Sequence, residues 1–331
     1  MKIGIIGGGK WGTCLSKIFS ESFEKVLLWV REKEVYEGII KERRNPLYLP
    51  FLKLRENVFP LMDFKEIEKC DYIIVAVPTQ FIRETIKNLN PKKRPFIISV
   101  SKGIEINTLK RPSEIIKETF KNKIKSVFVL SGPNFAEEIA KELPTASVLA
   151  GDKKYEKELI FLQNKISNRY FRIYISFDLK GVEIGGALKN VYAIGAGIID
   201  GINLGYNARA SYIIRSMVEM VRFGRKMGAK KETFAGLSGL GDLILTATGD
   251  LSRNRRFGIL IAKGCKIEEI LKELETVEGY YTVKPLIEIA KKYKIEMPIA
   301  EKIYEILYKG KDVKEAIYEL MTRKLKKEDI L

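Results

Sequence analysis

The sequence predicts an α/β N-terminal domain on a parallel-rich sheet, followed by an all-α C-terminal domain. Three observations carry this prediction. Short apolar, β-rich runs recur through the first 180 residues with helical patterns between several of them, the alternation that produces a parallel sheet. Strand signals then nearly vanish, while apolar residues at helical spacings continue. A chain of 331 residues exceeds one ordinary core, so two domains are expected, at 1–180 and 181–331.

The first element is an apolar strand, Ile3 to Ile6. Gly7-Gly8-Gly9-Lys10-Trp11-Gly12 follows at once, and a helical pattern opens there, with Trp11, Cys14, Leu15, Ile18 and Phe19 three or four apart. A second strand, Val26 to Val30, ends in Arg31. Gly7-x-Gly9-x-x-Gly12 therefore lies between strand and helix inside a βαβ unit, where a Rossmann-type dinucleotide fold needs it. Gly7 allows the tight turn, Gly9 admits the pyrophosphate, and Gly12 lets helix pack on strand. The helix start offers free N–H groups to phosphate. After the second strand an NAD site holds the ribose with Asp or Glu; here Arg31 stands first, with Glu32 and Lys33 behind it. A cation there suits the 2′-phosphate of NADP or stacks on adenine, and Glu32 pulls the other way. The cofactor expected is NADP or NAD, with NADPH favoured.

Further strands are expected at Tyr72–Val77, Phe96–Val100, Val127–Leu130, Ala146–Leu149 and Arg172–Tyr174, and helices at Thr79–Leu89 and Pro112–Phe120. Three strand ends carry motifs. Val75-Ala76-Val77-Pro78 closes one at the sheet's carboxyl edge, outside which ligands of open α/β sheets bind. Val100-Ser101-Lys102-Gly103-Ile104 places Lys102 at the same edge. Ser131-Gly132-Pro133-Asn134-Phe135-Ala136 turns into a helix, leaving N–H groups free; the plainer alternative is an ordinary loop.

Beyond about Asp178, helices are expected at Gly181–Asn203, Ala208–Met227, Arg255–Lys263, Lys284–Tyr293, Ile299–Leu307 and Val313–Met321. In the first, Lys189 and Glu183 stand among glycines, alanines and aliphatics, so the helix is buried nearly all round. A lysine there must be paired or point into a cavity. Desolvation lowers its pKa toward neutrality and makes it the best acid/base candidate in the chain. Gly236-Leu237-Ser238-Gly239-Leu240-Gly241-Asp242-Leu243 reads as a glycine-dense loop whose one acid, Asp242, either holds Lys189 or a substrate hydroxyl, or caps a helix. Leu251-Ser252-Arg253-Asn254-Arg255-Arg256-Phe257-Gly258 opens a helix with the makings of an anion site, against the alternative of a basic exposed turn. Tyr280-x-x-x-Lys284 matches an acid/base pair of short-chain dehydrogenases, but it lies far downstream in the helical half and is treated as chance.

Composition narrows the chemistry. There is no histidine, which excludes His–Asp dehydrogenases and His-bound zinc; proton transfer falls to Lys, Asp, Glu, Tyr or Cys. Cys14, Cys70 and Cys265 lack CxxC spacing, so neither a disulfide nor a metal site is expected, and a cytoplasmic location follows. No signal peptide is expected at a strand-forming N-terminus, and no run reaches the ~18 apolar residues of a membrane span. The net charge of +17 is interspersed with Glu and Asp, which argues for a solvated Lys/Glu surface rather than nucleic-acid binding. With only Gln80 and Gln163 as glutamines, the pattern is that of heat-adapted proteins. Lys324–Asp329 reads as a solvated terminus.

Together these segments, with Asn45-Pro46-Leu47-Tyr48-Leu49-Pro50, Ala187-Leu188-Lys189-Asn190-Val191, Gly239-Leu240-Gly241-Asp242 and Val277-Glu278-Gly279, resemble the bacterial-type NAD(P)-dependent glycerol-3-phosphate dehydrogenases. They span almost the whole chain in the family's order. The resemblance implies a Rossmann domain, a helical domain, a homodimer, and reduction of dihydroxyacetone phosphate to sn-glycerol 3-phosphate for glycerophospholipid synthesis. It makes Lys189 the proton carrier and Lys102 a contact to substrate and cofactor. It makes Gly132, Asn134, Asp242, Ser252, Arg253 and Asn254 substrate contacts. Lys10, Trp11, Arg31, Glu32, Tyr48, Ala136, Arg253 and Glu278 would touch the cofactor beside Gly7, Gly9 and Gly12. Lys10 departs from the small residue or Ser usual at its position. Two alternatives stand beside this reading: a 3-hydroxyacid or 6-phosphogluconate-type dehydrogenase, and a non-catalytic dinucleotide sensor.

Overall fold

The computed structural model describes residues 1–325, 327 and 328. Of the Lys/Glu-rich end, Lys326 and Asp329 lie outside the described residues. The chain forms two compact units, 1–101 with 112–179, and 102–111 with 180–331.

The first unit runs β1 (Lys2–Ile6), α1 (Lys10–Ser20), β2 (Lys25–Trp29), α2 (Lys33–Glu42), β3 (Arg44–Asn45), β4 (Leu49–Lys53), β5 (Val58–Leu61) and β6 (Tyr72–Val75). It continues with α3 (Ile82–Ile86), β7 (Phe96–Ser99), α4 (Pro112–Phe120), β8 (Ser126–Ser131), α5 (Ala136–Ala140), β9 (Thr145–Ala150), α6 (Glu156–Ile166) and β10 (Phe171–Ser176). Eight strands form one sheet in the order β10-β9-β8-β7-β6-β1-β2-β5. All neighbours are parallel except β8 and β9. Chain order reverses at β1, between β2 and β6, which is the switch point where such sheets bind ligands. Both faces are buried: Ile3, Ile5, Leu28 and Ile74 pack beneath α1, α2 and α6, and Ile6, Leu27, Ile73 and Val75 beneath α3 and α4. That is why these strands read as unbroken apolar runs. β3 and β4 form a separate two-stranded hairpin.

The second unit runs α7 (Leu179–Gly201), α8 (Gly205–Lys226), α9 (Lys231–Phe234), a π-helical turn (Leu237–Gly241), α10 (Asp242–Thr248) and α11 (Arg253–Ala262). It ends with α12 (Ile267–Leu274), α13 (Glu278–Lys292), α14 (Pro298–Lys309) and α15 (Val313–Met321). α7 is its central helix, buried from Gly181 to Ile199. By length and composition α7 is also apolar enough to cross a membrane, which amends the expectation that no stretch qualifies; the whole of that window is buried inside the structure. The expected loop at 236–243 is instead helical. Gly239 in this segment serves close approach, since a Cβ there would lie 2.2 Å from the Phe234 carbonyl oxygen, and α7 answers with Gly185, whose Cβ would lie 2.4 Å from the Ser238 carbonyl oxygen.

Candidate active site

In the first unit the glycine loop has the geometry its spacing demands. Gly7 has φ +119°. A Cβ on Gly12 would lie 1.9 Å from the Gly7 carbonyl oxygen, so only glycine lets α1 start there. Above Gly9 nothing lies within 4 Å, a cradle that a side chain would fill. Among the described residues no side chain caps α1, which leaves its first N–H groups without a capping partner beside Gly9. These features fit a dinucleotide pyrophosphate. Lys10, at the first position of α1, pairs with Glu137 at 2.5 Å. Trp11, Tyr48 and Ala136 are partly buried against the sheet's core.

At the end of β2, Arg31 is exposed and pairs with Glu32 at 2.8 Å. The Tyr48 hydroxyl reaches the same Glu32 oxygen at 3.4 Å. Tyr48 is carried by the β3–β4 hairpin, which Asn45 fastens to the glycine loop. Further along the sheet, Gly132 follows β8 with φ +153°, and Asn134 Nδ2 donates to Ser147 Oγ at 3.3 Å. The helix expected after this turn, α5, is only five residues long, so its dipole is small.

In the second unit Lys102, Lys189 and Asp242 meet. Asp242 is 1% exposed and accepts from both ammonium groups, Lys102 at 2.6 Å and Lys189 at 2.9 Å. Lys189 Nζ also donates to Thr246 Oγ1 at 2.7 Å, and that hydroxyl donates to the Asp242 carbonyl oxygen at 2.7 Å. An ammonium carries three donors, so Lys189 retains one beyond these two partners. Burial pushes Lys189 down to about 8; the Lys102 charge lowers it further, and Asp242 opposes both. With both lysines charged, one carboxylate leaves a net positive charge, suited to a developing oxyanion. Thr246 stands one turn after Asp242 on α10, and that spacing is its signal in the sequence.

The anion-site candidates lie beside this group. Ser252 caps α11, its hydroxyl accepting from the Arg255 N–H at 3.1 Å. Arg255 is held by Asp200 and Asp250, and Arg256 by Glu273. Arg253 is exposed and, among the described residues, has no ion pair. Asn254 Nδ2 donates to Asn190 Oδ1 at 3.1 Å, and its Oδ1 accepts the Gly279 N–H at 2.9 Å. Asn254 thus joins the starts of α11 and α13, the latter opening at the half-buried Glu278. Asn190, next to Lys189 on α7, also donates to the Lys102 carbonyl oxygen at 3.3 Å.

A glycine cradle at the switch point of a parallel sheet, and a helical unit with a buried, carboxylate-held lysine, define a nicotinamide-dependent oxidoreductase of the two-domain kind. Residues 2–157 match the N-terminal and residues 178–318 the C-terminal model of NAD-dependent glycerol-3-phosphate dehydrogenase. The chain belongs to this family. It is 45% identical to a glycerol-3-phosphate dehydrogenase (NAD(P)+) of Solidesulfovibrio magneticus, covering 99% of this chain and 100% of that one. It is also 45% identical to a relative of the same name from Thermotoga sp., covering 99% of each. The crystal structure of a Coxiella burnetii glycerol-3-phosphate dehydrogenase superposes with a TM-score of 0.90 at 35% identity, over 97% of this chain and 99% of that one. Membership sets aside the 3-hydroxyacid-type and sensor alternatives and makes the protein an oxidoreductase that uses NAD or NADP.

Proposed function

We propose that Lys189 is the group that exchanges a proton with the substrate's C2 oxygen during reversible reduction of dihydroxyacetone phosphate to sn-glycerol 3-phosphate, the backbone precursor of glycerophospholipids. The observation that carries this reading is the third donor of Lys189, left over from Asp242 and Thr246 in a buried site. When bound, NAD(P)H would supply the hydride. The residues of this chain do the rest. Lys189 and Lys102 stabilise the charge that develops on the oxygen, and Lys189 delivers the proton. Asp242 and Thr246 orient the Lys189 ammonium. Arg253 and the start of α11, with Ser252 and Asn254, grip the phosphate and so fix the carbonyl. Gly132 and Asn134 complete the substrate contacts.

The loop Gly7, Gly9 and Gly12, with Lys10, Trp11, Tyr48, Ala136, Lys102, Arg253 and Glu278, forms our proposed cofactor contacts. Arg31 favours NADPH, and Glu32, its partner at 2.8 Å, limits that preference. The family resemblance further supports a cytoplasmic homodimer, which light scattering of the purified protein tests for its oligomeric part. The central test is Lys189→Met, assayed by NADPH oxidation with dihydroxyacetone phosphate beside a panel of ketoacids. A fall in kcat of roughly 10²–10⁴ with intact NADPH binding is expected. Full activity in the variant removes Lys189 from the mechanism.

A further inference from the structure

The segment 102–111 lies in sequence between β7 and α4 of the sheet unit, yet it packs as part of the helical unit. Ile104, 2% exposed, enters the helical core, and Leu109 packs against that core. The segment is internally bonded: the Glu105 N–H donates to the Lys110 carbonyl, the Leu109 N–H donates to the Glu105 carbonyl, both at 2.9 Å, and the Thr108 hydroxyl donates to the Glu105 carboxylate. It forms a strap with both ends fixed to α7. At its first residue Asn190 donates to the Lys102 carbonyl oxygen. At its last, Arg111 Nη1 meets Glu183 Oε2 at 2.8 Å, with the two side chains only 14% and 1% exposed. Glu183 and Lys189 are six residues apart on one helix, a rise of about 9 Å.

We propose that Arg111, through its ion pair with Glu183, is a positioning residue that holds Lys102 against Asp242 beside Lys189. The inference rests on the reading of Lys189 and Lys102 as the reacting pair. Replacing a buried ion pair with apolar residues often leaves stability unharmed, so stability alone is a weak reason for this one. Its placement at the far end of the strap supplies another. Lys102 reaches into the site from a loop with no helix or strand of its own, and a ring of contacts through α7 substitutes for one. With the far end released, Lys102 moves relative to Asp242, and Lys189 loses part of its neighbouring positive charge. The charged groups that face Lys189 are Asp242 from α10 and Lys102 from the strap, so the expected response is a rise in the Lys189 pKa.

The test is a double-mutant cycle of Glu183→Asp, which keeps the charge and shortens its reach, with Lys102→Met. Measured are kcat, its pH profile, NADPH affinity by fluorescence titration, and Tm. Glu183→Asp should lower kcat about tenfold or more in the parent chain, shift the basic limb of the reduction profile upward, and leave NADPH affinity within about twofold. In the Lys102→Met background it should cost less than about twofold, because the residue it positions is gone. Equal loss in both backgrounds, or no loss in the parent, overturns the proposal. Arg111→Lys serves as the same cycle should Glu183→Asp fail to fold. If Lys102→Met and Lys189→Met each retain full kcat, the catalytic reading fails and takes this inference with it. If they lose kcat while the cycle is additive, the positioning role alone is wrong.

Discussion

Asn45 holds the carbonyl of Gly8 from a hairpin 37 residues away, its Nδ2 donating at 2.7 Å. The same amide nitrogen donates to Thr13 Oγ1 at 2.8 Å, and its oxygen accepts the N–H groups of Leu47 and Tyr48. One fully buried side chain thereby ties the glycine loop, the first turn of α1 and the turn bearing Tyr48 into one piece. Asn45→Ala should cost about 2 kcal/mol of stability, read from denaturant unfolding, and weaken NADPH several-fold. Asn45→Asp should weaken it more, because it sets a carboxylate oxygen against the Gly8 carbonyl. Unchanged cofactor affinity in both variants would show that the tie does not shape the loop.

Lys189 predicts opposite pH limbs for the two directions. Its pKa is lowered from 10.5 to about 8, chiefly by burial. Reduction needs the ammonium, so its kcat should hold below about 8 and fall above it. Oxidation of glycerol 3-phosphate needs the neutral amine and should rise through the same value. Stability follows the same linkage: the contribution from Lys189 is full above 10.5 and is lost as pH falls through about 8. Initial rates in both directions across roughly pH 6–10 decide the matter. Profiles that fall together on the same side contradict the assignment.

Arg253 is singled out from Arg255 and Arg256 by its lack of a carboxylate partner among the described residues. Arg253→Leu should remove about 2–4 kcal/mol of grip on a phosphate dianion. Because that grip positions the remote end of the substrate, the loss should appear in kcat as well as KM. Free phosphite should partly rescue turnover of dihydroxyacetone, which lacks its own phosphate, in the parent enzyme and not in the variant. Equal activation of both places the phosphate elsewhere.

The Arg31–Glu32 pair gives a two-sided prediction for cofactor choice. Arg31→Asp should shift the NADPH/NADH affinity ratio toward NADH by on the order of tenfold. Glu32→Gln releases Arg31 and should move the ratio the other way. Titrating both cofactors against both variants checks this; a ratio indifferent to Arg31 means that it does not read the 2′-phosphate.

What the sequence disclosed and what it hid follow from the range of the interactions involved. The glycine loop was legible because its spacing alone implies strand, turn and helix. Lys189 stood out because a charge in a small, apolar helix is locally anomalous. Strand β5 is not legible in the sequence: it is four residues long and contains Pro60, tolerated because the strand lies at the sheet's edge. The π-helical turn read as a loop because glycines that admit a neighbouring backbone look the same as glycines that reverse a chain. The clasp of Asn45 and the membership of the strap depend on partners 32 to 140 residues distant, which no local pattern encodes.

The strap also sets an order of events during synthesis. Residues 102–111 leave the ribosome ahead of α7, which fastens both their ends, and well ahead of α10, which supplies Asp242. Domains generally fold as units with the N-terminal one first. Here the sheet unit can close around 112–179 while this loop still hangs from it, with Ile104 and the Arg111 charge in water. A nascent chain stalled before Glu183 would present that loop to chaperones and proteases, and its protection would report the arrival of α7.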